Sequence, residues 1–223
     1  PQILGAPPLP VRALEPGAAA TADLVNRFVA EAARLLHDAT PANMVLLRGF
    51  DQLPELPLFG KLYGLRAAAI AAYPMYRGLA KLVGMDVLKT GGTFESEIAT
   101  LGEHWDAYDF FFVHYKDTDK AGEDGDFDAK VAALERFDAY VPKVRALGPD
   151  VLVVSGDHAT PSVLVGHGWQ SVPALLWSRY CGADPVTAFT ERACAIGTLG
   201  TIPAHHLMPL VMANAQRLTK FGA

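Results

Sequence analysis

Four consecutive β-favouring residues, Val151 to Val154, run straight into Ser155, Gly156, Asp157 and His158. This junction constrains the fold more than any other stretch of the chain. An unbroken apolar run of that length reads as a buried parallel strand. The loop after it sets a carboxylate beside an imidazole at the strand's carboxyl end, the edge where open α/β sheets place their ligands. Asp offers a hard oxygen and neutral His a nitrogen, a pair suited to a divalent cation. A plain strand-to-loop turn with polar residues accounts for the same pattern, so metal site and turn both stay open at this point.

Around that junction, short apolar runs alternate with helical periodicity. Residues 1–16 are rich in Pro and Gly and read as an extended lead-in. A helix is predicted from about Thr21 to His37, with Leu24, Phe28, Ala32 and Leu35 on one face. Asn43 to Gly49 reads as a short strand, and Pro54 to Tyr63 as a short helix. Leu65 to Tyr73 has helical propensity, but Gly64 and Pro74 bracket it, so it is predicted as a strand. A helix over Arg77 to Val83, closed by Gly84, leads to a short strand at Met85 to Leu88. Gly91 and Gly92 make a turn before a helix that reaches about Gly102. Tyr108 to Tyr115 reads as a buried strand, Lys116 to Asp126 as an acidic loop, and Phe127 to Leu147 as one long helix. That helix carries Val131, Leu134, Phe137, Val141 and Val144 in register. A further strand is predicted at Val172 to Trp177, and helices near Ala188 to Cys194 and His205 to Leu218. Alternating strands and helices predict an α/β fold, mainly a parallel sheet flanked by helices.

Composition narrows the function class. The net charge of −5 argues against non-specific nucleic-acid binding. It leaves room for a phosphorylated small molecule, because bound metals and a few arginines can reverse the local field. No apolar run reaches the roughly 18 residues that cross a bilayer, so no membrane partner is expected. Cys181 and Cys194 fit no zinc pattern and read as buried thiols of a cytoplasmic protein.

Three loops carry candidate chemistry. The first holds Asp117, Asp119, Glu123, Asp124 and Asp126, without the spacing of an EF-hand. Asp124 and Asp126 read as charge on a solvated loop. Asp119 and Glu123 stand four apart and converge if the chain turns helically between them. The second loop holds Asp157 and His158, and the third holds His167. His104, His205 and His206 read as packing or surface residues. His114, at the end of the strand before the acidic loop, stands out more.

These motifs together resemble the archaeal-type cofactor-independent phosphoglycerate mutases of the alkaline phosphatase superfamily. Lys116 to Asp126 is similar to that family's Asp-x-Ala-Gly-His-Asp-Gly-Asp loop. Gly156 to Pro161 resembles its Gly-Asp-His-Ser-Thr-Pro motif, with His167 as the following His. Asn43 to Gly49 and the ending Lys220 to Ala223 are similar as well. The resemblance implies an alkaline-phosphatase-like fold preceded by part of a smaller α+β cap domain, with the cap in residues 1–58 and the metal-binding domain in residues 59–223. It implies two divalent cations, Mn²⁺ or Mg²⁺ with Zn²⁺ or Co²⁺ as alternatives, and phosphoglycerate as substrate. Asp119, Glu123 and His167 would hold one cation, and Asp157 and His158 the other. Arg48 and Arg77 would bind the substrate.

Two departures qualify the expectation. Position 123 is Glu where the family has His; a carboxylate still coordinates, with a preference for harder cations. The family's nucleophilic Ser lies in an N-terminal segment, so it is expected upstream of Pro1, and the chain reads as a C-terminal part that is inactive alone. Ser96 and Ser162 sit outside the required motif. A metal-dependent phosphatase or phosphonate-processing relative, and a metal-binding remnant without activity, are the other readings.

Overall fold

The computed structural model describes residues 6–219. The ending Lys220 to Ala223 therefore lies outside the described residues. The chain forms two compact units, Pro1–Glu55 and Leu56–Ala223.

The first unit is built on α1 (Ala19–Leu35), which follows a 3-10 turn at Pro16–Ala18. Its buried side chains are Ala22 and Val25, while Leu24, Phe28 and Leu35, predicted to face a core, are exposed. Asn26 fastens the lead-in by accepting a hydrogen bond from the Val11 amide and donating one to the Val11 carbonyl, at 2.8 and 2.9 Å. The strand predicted at Asn43 to Gly49 does not form. A strand needs a ladder partner for its amides and carbonyls, and the described residues of this unit contain no strand to supply one.

The second unit opens with α2 (Phe59–Tyr63), shorter than predicted, which Gly64 ends in the left-handed conformation at φ 65°. β1 (Ala67–Ala71) follows and is buried along its whole length. Then come α3 (Pro74–Leu82), β2 (Asp86–Val87), α4 (Phe94–Glu103) and β3 (Phe110–His114). The three strands form a parallel sheet in the order β2-β1-β3. β1 lies in the centre, which explains its run of small apolar residues: both of its faces are covered. Ile70 is fully buried and packs with Ile98 and Leu101 of α4, ringed by Leu88, Phe94, Trp105 and Phe111. Thr93 caps α4 through its hydroxyl, with Ser96 returning a bond to the Thr93 amide.

The expected acidic loop is instead a helix, α5 (Asp117–Glu123). α6 (Phe127–Asp138) and α7 (Val141–Ala146) replace the single long helix predicted over 127–147. Pro142 explains the break. It cannot donate to the preceding turn and its ring clashes there, so the helix restarts with Pro in its first turn. Val131 and Leu134, predicted to share a buried face with Val144, are exposed, whereas Val144 reaches the core. Asp126 is not idle charge: its carboxylate accepts from the Ala129 amide at 2.9 Å and caps α6.

β4 (Val151–Ser155) is a strand, as its composition predicts, but it pairs antiparallel with β5 (Ala174–Ser178) in a separate two-stranded sheet. Val151 to Val154 are half-buried rather than buried, and Ser155 is exposed. An apolar run encodes extended structure and burial, not the direction of the neighbouring strand. α8 (Glu191–Cys194) and α9 (Leu207–Asn214) complete the unit. Both cysteines are free and half-buried. No helix among the described residues is long and apolar enough to cross a membrane.

Candidate metal centre

The site forms where two short segments meet: α5, after the carboxyl end of β3, and the loop after β4. The first turn of α5 carries Asp119, and Glu123 follows one turn later on the same face. The second segment is a closed loop. Its base is an antiparallel bridge between Ala159 and Gly168, with the Gly168 amide donating to the Ala159 carbonyl at 2.8 Å. That pin brings His158 and His167, nine residues apart, into ring contact with centroids 3.9 Å apart.

The two segments are pressed together at a glycine. A Cβ on Gly122 would overlap the Thr160 carbonyl oxygen and crowd its methyl. The same carbonyl accepts from the Lys130 ammonium of α6. Gly125, at φ 71°, turns the chain between α5 and α6 beneath Val165 of the loop.

Four pairs of donor atoms define the geometry. His167 Nε2 is 3.4 Å from Glu123 Oε1 and 3.9 Å from Asp119 Oδ1. His158 Nε2 is 3.6 Å from Asp157 Oδ2, and His158 Nδ1 is 3.8 Å from Asp119 Oδ1. Two donors about 2.1 Å from one shared ion stand roughly 3 to 3.5 Å apart. The Glu123–His167 and Asp157–His158 separations come near that spacing, and donor atoms of Asp119, His158 and His167 all lie within 4.8 Å of one another. Oxygen and imidazole donors in this mixture suit Mn²⁺, Mg²⁺ or Zn²⁺. The residues present fit divalent cations.

Other side chains hold the carboxylates. Asp119 accepts from the Lys116 ammonium and the Thr160 hydroxyl. Burial pushes its carboxyl up, and Lys116 and Thr160 more than reverse that, leaving it below the ordinary carboxylate range. Asp157 accepts from the Tyr76 hydroxyl and, at 3.1 Å, from the His158 amide. Its carboxyl is likewise raised by burial and brought below the usual range, chiefly by Tyr76. Tyr76 itself is buried, and its ring stacks on His114 with centroids 3.6 Å apart. Desolvation, then the bond to Asp157, drives the Tyr76 phenol well above its normal value, so it stays a proton donor. Burial lowers the His114 imidazole, whose Nδ1 is buried with no hydrogen-bond partner among the described residues.

Asp119, Glu123, Asp157, His158 and His167 thus stand together on two adjoining segments. Arg77, on α3 directly after Tyr76, is exposed and makes no ion pair among the described residues. Arg48 lies exposed in the first unit, on a stretch without regular structure. Trp169, next to the site in sequence, is 87% exposed. Ser96 is occupied in the cap of α4, and the Ser162 hydroxyl is buried with no hydrogen-bond partner among the described residues. Sequence reasoning missed Tyr76 and Lys130, and Lys116 stood in the recognised Lys116 to Asp126 motif without a role. Thr160 lay inside a recognised motif and drew no role.

Comparison with known proteins decides the family. The metalloenzyme superfamily model matches residues 12–214. The chain belongs to the metalloenzyme superfamily. A probable 2,3-bisphosphoglycerate-independent phosphoglycerate mutase from Thermotoga neapolitana is 51% identical over all of this chain, which covers 56% of that protein. The PH0037 protein from Pyrococcus horikoshii superposes with a TM-score of 0.82 at 29% identity, over 93% of this chain and 60% of that one. A cofactor-independent phosphoglycerate mutase from Thermoplasma acidophilum matches with a TM-score of 0.61 at 25% identity, over 95% of this chain and 56% of that one. This superfamily member spans little more than half the length of the curated relatives it matches, and its fold is α/β with a parallel sheet flanked by helices.

Proposed function

We propose that this protein is part of a cytoplasmic, glycolytic enzyme that interconverts 3-phosphoglycerate and 2-phosphoglycerate with two divalent cations. The observation that carries the reading is the convergence of Asp119, Glu123, Asp157, His158 and His167. Identity near one half to relatives named as phosphoglycerate mutases supports the substrate.

In this reading Asp119, Glu123 and His167 hold one cation, and Asp157 and His158 contribute to the other. The cations would supply charge stabilisation for a transferring phosphoryl group and lower the pKa of an attacking hydroxyl. The chain's own residues then have three tasks. Lys116 and Thr160 keep Asp119 ionised and oriented. Tyr76 holds Asp157 at the end of the loop. Arg48 and Arg77 grip the substrate's carboxylate and phosphate. The hydroxyl nucleophile, a Ser, belongs in this reading to a segment preceding Pro1, and residues 1–58 to the substrate-binding cap.

A coupled assay of the full-length protein with Mn²⁺ tests the reading. Conversion of 3-phosphoglycerate to 2-phosphoglycerate is the expected result. Release of inorganic phosphate without isomerisation would replace it with a phosphatase.

A further inference from the structure

Thr160 is a buried polar residue that touches both halves of the centre. Its hydroxyl meets Asp119 Oδ1 and stands 3.1 Å from His158 Nδ1. A threonine hydroxyl owns one proton, and a carboxylate at neutral pH owns none to give. The contact with Asp119 therefore consumes the Thr160 proton. The contact with His158 then needs a proton on Nδ1, which donates to the Thr160 oxygen. His158 is left with its lone pair on Nε2, the nitrogen 3.6 Å from Asp157 Oδ2.

We propose that Thr160 is a positioning residue whose hydroxyl, bonded to Asp119, sets the His158 tautomer and aims the Nε2 lone pair at a cation shared with Asp157. The inference rests on the metal reading above for its consequence, but the tautomer stands without it. It also excludes His158 Nδ1 as a ligand atom, although that nitrogen lies near Asp119. His158 is thereby assigned to the Asp157 cation, and Asp119 to that of His167 and Glu123. The residue is well held for the task. Its carbonyl accepts from Lys130 and its methyl packs over Gly122. Outer partners that fix a ligating imidazole commonly change metal affinity about 10- to 100-fold when removed.

Thr160→Val keeps the methyl shape and removes the hydroxyl; Thr160→Ser keeps the hydroxyl; Thr160→Ala guards against a misfolded Val variant. Two readouts apply to the purified protein. Nitrogen NMR of metal-free protein at pH 8 reports which His158 nitrogen carries the proton. Titration with Mn²⁺ reports affinity and stoichiometry. The wild type and T160S are expected to show Nδ1–H and to bind Mn²⁺ within about 3-fold of each other. T160V and T160A are expected to move the proton to Nε2 and to weaken Mn²⁺ about 10- to 100-fold. A wild-type His158 protonated at Nε2 alone overturns the proposal. So does a T160V or T160A tautomer like the wild type's, or a switched tautomer with unchanged Mn²⁺ affinity. A wild type that shows Nδ1–H and ignores Mn²⁺ overturns the metal reading and the ligand role of His158 built on it.

Discussion

Asp157 is a half-exposed carboxylate on a loop, and beyond the adjacent His158 amide one side chain, the Tyr76 phenol, holds it in place. Tyr76→Phe keeps the ring against His114 and deletes the donor to Asp157. Mn²⁺ affinity at the Asp157 position is expected to fall about 10- to 100-fold, as for other outer partners of ligating groups; calorimetric titration of the variant checks it. Nothing in the sequence around Tyr76 marks it, because the contact spans two segments far apart in the chain. Glu97 is a second residue whose behaviour only burial reveals. It lies on α4, almost fully buried, and accepts from the Ala72 amide at 2.6 Å. Desolvation raises its pKa from 4.5 to about 7, against the Ala72 bond and with help from Asp117. The folded state therefore binds this proton more tightly than the unfolded one. Stability should be fully present below about pH 4.5 for this group and fall as the pH rises to about 7, by about 2–3 kcal/mol. Glu97→Gln removes that slope, so its urea midpoint should exceed the wild type's at pH 8 and approach it at pH 5.

Among the elements, α5 shows best how a local pattern became a site. Asp119 and Glu123 were separated by a helical interval, so their shared face was readable in advance. The helix itself was not, since its residues also suit a solvated loop. Its seat against the Thr160 loop depends on Gly122. Gly122→Ala is expected to push α5 away from Thr160, lower stability by about 1–3 kcal/mol as overpacking does, and weaken Mn²⁺ binding. Urea denaturation and metal titration measure the two effects, and an unaltered pair of values would rule out the close approach. Periodicity also merged α6 and α7, where Pro142 outweighs the continuing apolar register. For β4 the extended conformation was legible and its antiparallel pairing was not. A strand's partner lies elsewhere in the chain, and its direction leaves no trace in the run of Val and Leu.

At the scale of the whole molecule, metal binding should be linked to stability, because five candidate ligands from two segments meet only when the second unit is folded. Mn²⁺ at about 100 times its dissociation constant would add about 2.7 kcal/mol, raising the thermal midpoint by about 5–10 °C in a chain this long. A scanning-fluorimetry midpoint unmoved by both Mn²⁺ and chelator would argue against the site. By itself the sequence determined the class of fold, through strands and helices that alternate, and the candidate ligands, through residue types whose chemistry does not depend on context. Tertiary structure alone decided which donor atoms stand within reach of one ion and which neighbours hold them. Tyr76, Thr160 and Lys116 acquire their roles from distance and burial, and those are properties of the folded chain.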